Sequence, residues 1–85
     1  MGYKQGENQR PVGAVRRDRW EYFMDSLGMR GSVPKNHREL YRLSIGGQTV
    51  RLQAEFGTSV VYVSADSKRG DIRQRVRDAN SNSVK

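Results

Sequence analysis

The stretch Leu40 to Ala65, LYRLSIGGQTVRLQAEFGTSVVYVSA, decides how this chain is read. Apolar and polar residues alternate through it, which is the period of a half-buried β-strand. In the first strand, Tyr41, Leu43 and Ile45 share one side, and Leu40, Arg42 and Ser44 share the other. Gly46-Gly47 suits a type I′ turn, which needs positive φ at both central residues. In the second strand Val50, Leu52, Ala54 and Phe56 face one way, and Thr49, Arg51, Gln53 and Glu55 the other. Gly57-Thr58 fits a type II′ turn with glycine first. The third strand, Ser59 to Ala65, puts Val61, Val63 and Ala65 on the core side, with Val60, Tyr62 and Ser64 facing away.

Turn length fixes register. A Gly46-Gly47 loop sets Leu43 opposite Val50 and Tyr41 opposite Leu52. A Gly57-Thr58 loop sets Ala54 opposite Val61 and Leu52 opposite Val63. Every pair joins two core-side residues, so the parity closes across both hairpins. On the other face Arg42 opposes Arg51 with Ser64 next across, and Leu40 opposes Gln53 with Tyr62 beyond.

On the N-terminal side, Trp20, Phe23, Met24 and Leu27 fall at the spacing of one helical face, and the helix is placed at Ala14 to Leu27 with Gly28 as its stop. Arg16, Arg17 and Arg19 crowd its N-terminal end, against the macrodipole. An external anion facing these arginines would account for them. On the C-terminal side, Ile72, Val76 and Ala79 predict a helix from Asp66 or Ser67 to Ala79, with Arg69, Arg73 and Arg77 as a basic ridge beside the apolar stripe. The expected fold is α+β: a two-layer α-β-β-β-α domain over residues 14–79, a three-stranded antiparallel meander with both helices packed on one face. Residues 1–13, with Gly2, Gly6, Pro11 and Gly13, read as a flexible arm, and residues 80–85 as a polar tail.

Composition bounds the function. In a chain of 85 residues with no cysteine and one histidine, there is no thiolate metal site, disulfide framework or imidazole cluster. No apolar run reaches the ~20 residues of a membrane span, and Met1 to Arg10 lacks the apolar core of a secretory signal. A cytoplasmic protein without a cofactor, acting by binding and not by catalysis, is the expectation. His37 is a lone histidine between Lys35 and Arg38, with no orienting carboxylate evident beyond Glu39. The net charge is +7, and twelve of the sixteen basic residues are arginine. Arginine's planar fork meets phosphate or carboxylate with two parallel hydrogen bonds. The expected partner is therefore a nucleic acid, RNA or single-stranded DNA before a duplex, since no helix presents itself for a major groove.

The candidate contacts are Arg16, Arg17 and Arg19; Arg42 and Arg51 with Tyr62 as a stacking ring; and Lys68, Arg69, Arg73 and Arg77. Two arginines directly opposite on a sheet repel, and a bridging anion would relieve this. Ser64 to Gly70, leading from strand to helix, suits phosphate by its free N–H groups, though it lacks the spacing of a Walker loop. Trp20 is assigned to the core from its helical spacing. An alternative is a small accessory or inhibitor protein that docks on an acidic surface of a nucleic-acid-handling complex. A homodimer through Leu40 and Val60 on the outer sheet face is a further expectation.

The α-β-β-β-α order over about residues 14–79 resembles the double-stranded-RNA-binding domain, whose basic second-helix N-terminus contacts phosphates; Ser67-Lys68-Arg69 would take that place. Ile72-Arg73-Gln74-Arg75-Val76 stands where that family has alanines. Tyr41-Arg42-Leu43 followed by Val50-Arg51-Leu52 looks like the sheet of RelE-type RNA-cleaving toxins. That resemblance implies a third role, RNA cleavage by Arg42, Arg51 and Tyr62. The family's leading strand and helical hairpin are not evident in the sequence.

Overall fold

The computed structural model describes residues 9–29, 37–68 and 71–81. They form four strands, β1 (Arg10–Arg16), β2 (Arg38–Ile45), β3 (Gln48–Phe56) and β4 (Val60–Ala65), with two helices, α1 (Trp20–Ser26) and α2 (Ile72–Ser81). The class is α+β, as the alternation and helical spacing require. The sheet is antiparallel throughout, in the order β1-β4-β3-β2.

The meander β2-β3-β4 is the expected one, but it is not the whole sheet. A fourth strand, β1, lies against β4, with Val15 opposite Val61 and Gly13 opposite Val63. It takes the last residues of the expected arm and the first turn of the expected first helix. After β1 the chain makes a 3-10 turn at Arg17–Arg19 and only then enters α1. The physical reason is a bulge at Val12, where the register shifts between Pro11 and Gly13. Val12 and Val15 both pack on the core although three residues apart, which plain alternation forbids. Gly13 lets α2 approach closely: a Cβ there would meet Val76 Cγ1 at 3.1 Å.

Gly46 and Gly47 have φ of 59° and 79°, and the first hairpin has the expected register, Leu43 opposite Val50 and Arg42 opposite Arg51. The second hairpin differs by two residues. Phe56 opposes Val61, Ala54 opposes Val63 and Leu52 opposes Ala65. Gly57 pairs with Val60 by its N–H (2.8 Å), so the turn centres on Thr58-Ser59 and not on Gly57-Thr58. Gly57 is not at positive φ. Its carbonyl instead accepts a hydrogen bond from the Arg17 guanidinium at 2.6 Å. A shift of two preserves parity, so the same residues face the core.

That core joins the inner sheet face to both helices. Leu43, Val50, Leu52, Ala54, Phe56, Val61 and Val63 meet Trp20, Phe23 and Met24 from α1, and Ile72, Val76 and Ala79 from α2. Trp20 is buried, its ring 5.2 Å from Phe56 and 5.4 Å from Phe23. Helix α2 starts later than expected, at Ile72, and runs through Asn80 and Ser81, the first two residues of the expected tail. The Asn80 side chain ties α2 to β1, its Nδ2 donating to Ala14 O (2.9 Å) and its Oδ1 accepting from Arg16 N (3.0 Å). Those backbone groups point away from β4, so Asn80 occupies the outer edge of β1 as a neighbouring strand would. The expected loop 31–36 and residues 82–85 lie outside the described residues.

Candidate nucleic-acid interface

Two populations of arginine sit at opposite ends of the sheet. At the end where β3 turns into β4, side chains are already engaged. Arg17 bonds Gly57 O, its backbone N–H bonds Ser59 O at 3.0 Å, and its guanidinium lies 5.8 Å from the Phe56 ring centre. Arg16 pairs with Asp18 at 2.9 Å. Arg19 is half-buried beside Trp20, with its Nε out of solvent. Arg38 lies 3.7 Å and His37 3.9 Å from the Glu55 carboxylate. Of the three arginines expected to face an anion from the start of the first helix, Arg17 joins the 3-10 turn to the β3-β4 turn, while the Arg16 side chain stays local on Asp18.

At the end where β4 finishes, the cations are not so engaged. Arg42 and Arg51 stand directly opposite on the outer face, both exposed. They form a non-hydrogen-bonded pair, the kind in which Cα atoms approach to about 4.5 Å. The alternation that shows this runs from the Gly46-Gly47 turn to the bond from Phe56 N to His37 O. Among the described residues no carboxylate is bonded to the side chain of Arg42, Arg51, Lys68, Arg73 or Arg77. Asp66 extends β4 by one residue: its N–H donates to Arg51 O (3.2 Å) and its Oδ1 accepts from Arg51 N (2.9 Å).

Asp66 therefore holds the boundary between two shallow grooves. One lies on the outer face and includes Leu40, Arg42, Arg51 and Gln53. The other lies between β1 and α2 and includes Arg10, Lys68, Asp71 and Arg73. Four of the expected contacts, Arg42, Arg51, Lys68 and Arg73, are thus gathered about Asp66, joined by Arg10. Arg77 is exposed one turn further along α2. Arg69 and Gly70 lie outside the described residues.

The register shift relocates Tyr62. It is 57% exposed on the outer face, but its row is Arg38-Glu55-Tyr62-Ala14, while Ser64 shares the row of Leu40 and Gln53. Arg51 has Asp66 beside it, not Ser64. Leu40 (55% exposed) and Val60 fall in different rows and do not form one patch.

Arg10 and Asp66 line these grooves although the sequence pattern named neither as a contact. Pro11 and Gly13 imitate a loop and so hide Arg10, and Asp66 looked like a helix cap. Among the described residues no group of three or more His, Asp or Glu is placed to hold a metal, and no helix is long and apolar enough to cross a membrane. A leading strand, missing from the sequence-level likeness to RelE-type toxins, is present as β1, and the described part of the connection to β2 carries one 3-10 turn and the seven-residue α1. With β1 preceding the first helix, the order is no longer the α-β-β-β-α of the double-stranded-RNA-binding domain. No protein family, curated protein or solved structure matches this chain.

Proposed function

We propose that this chain is a non-enzymatic nucleic-acid-binding module, taking RNA or single-stranded DNA across the outer sheet face and the end of β4. The opposed Arg42 and Arg51 carry the reading. Two like charges side by side on a strand pair cost stability, and among the described residues neither guanidinium is bonded to a carboxylate. A phosphate bridging them removes the repulsion and supplies charge-assisted hydrogen bonds. Arg10, Lys68 and Arg73 continue the cationic surface around Asp66. The exposed Leu40 and Tyr62 side chains on the outer face favour unpaired bases, which stack on aromatic side chains. RNA cleavage would need a proton-transfer group as well, and His37 stands at the other end of the sheet beside Glu55.

The test is a fluorescence-anisotropy titration with an oligoribonucleotide, a single-stranded oligodeoxynucleotide and a duplex, each from low to high salt. Four phosphate contacts to a single strand predict log K falling by about 3 per decade of salt, at about 0.7 per phosphate. An affinity indifferent to salt, or tighter binding to the duplex, defeats the reading.

A further inference from the structure

The two edges of the sheet are treated differently. The edge at β1 is occupied by the Asn80 amide. The edge at β2 has no such cover among the described residues. It is eight residues long, pairs with β3 without a bulge, and contains no proline. Because His37 and Ile45 belong to the hydrogen-bonded set, the N–H and C=O groups of Arg38, Leu40, Arg42 and Ser44 point outward. A long regular edge of this kind is a template for one more strand.

The side chains define what that strand is. On the outer face the edge presents Arg38, Leu40, Arg42 and Ser44; on the inner side Glu39, Tyr41 and Ile45 are half-buried at the margin of the core, with Leu43 inside it. A second copy pairing antiparallel about Leu40 would set Arg38 against Arg42 twice over, and like charges directly opposite are unfavourable. Carboxylates at alternate positions would meet both arginines, and apolar residues between them would extend the core. We infer that the β2 edge accepts an extended acidic peptide segment, alternating acidic and apolar residues, as a fifth strand. The peptide would share the Arg42 side chain with the nucleic-acid reading, but its main-chain bonds fall on outward β2 groups that reading does not use.

The experiment uses the full chain, isotope-labelled, with a short blocked peptide alternating Glu and Val. Saturable shifts confined to β2, with new exchange protection at the Leu40 and Arg42 amides, are expected. Binding should weaken by at least about tenfold for a Lys-Val peptide, whose charges oppose the arginines. Leu40→Pro should lose it as well, since its N–H faces outward and proline is tolerated on a free edge. Three outcomes overturn the inference: no saturation, equal binding by a folded Leu40→Pro, or the two amides already protected without peptide. The last would mean the edge is filled by a second copy or by the chain's own residues. Amide protection in the unmodified chain keeps the test decisive if Leu40→Pro fails to fold. An oligonucleotide added in place of the peptide should shift side-chain signals without protecting those amides, so the two readings fail separately.

Discussion

At the end of the sheet near Gly57, Arg16 and Arg17 act on partners within the fold: a carboxylate, a carbonyl and an aromatic ring. At the end near Asp66, Arg42 and Arg51 line one groove and Lys68 and Arg73 another, Asp66 borders both, and all four basic residues are exposed. Sequence composition counts these residues alike. Their surroundings make one set structural and leave the other available, and the difference comes from where backbone acceptors are left over. At the β3-β4 turn Gly57 O accepts from the Arg17 guanidinium. The Asp66 carboxylate is taken up by the Arg51 backbone N–H and is not bonded to the Arg51 guanidinium.

Substitutions can break this contrast. The largest effect is expected for the double change Arg42→Ala with Arg51→Ala. Losing two charge-assisted contacts at about 1.5 kcal/mol each reduces affinity for a single strand by roughly a hundredfold. Thermal stability should hold or rise as the repulsion goes. Unchanged affinity in the titration would show that the open end is not the binding surface. Arg17→Ala is the converse. It should lower stability in a urea melt by about 2 kcal/mol, through the lost bond to Gly57 O and the contact with Phe56, and leave affinity per folded molecule intact. A parallel loss of affinity would erase the distinction between the two ends. The smallest expected effect is about 1 kcal/mol of stability for Asn80→Ala, which frees Ala14 O and Arg16 N to water. Faster exchange at the Arg16 amide would locate that loss at the β1 edge.

The core was legible in the sequence because it depends on parity. Val50, Leu52, Ala54, Phe56, Val61 and Val63 face inward in any register that shifts by an even number, so an error of two residues in the second hairpin left the buried set correct. The site depends on which residue lies beside which, and the same error set Tyr62 one row too near the Arg42-Arg51 pair and set Ser64 where Asp66 stands beside Arg51. The cause was Gly57, read as a turn residue needing positive φ. Its small size instead permits close approach, since a Cβ would sit 3.1 Å from Val60 O. Strand β1 escaped notice because its bulge at Val12 breaks the period of two and because Pro11 and Gly13 imitate a loop. Gly13 was the usable signal: a glycine in a short apolar run marks a place where another element comes near. The pairing of Asn80 with Ala14 and Arg16 spans more than sixty positions and leaves no local pattern.

The Asn80 amide has a consequence for assembly. A sheet that could recruit strands along both margins would lengthen indefinitely, each newcomer offering a fresh margin to the next, as fibres do. Here Asn80 blocks the β1 margin at Ala14 and Arg16, so a chain that gains a strand at β2 does not pass the pairing on through this part of β1.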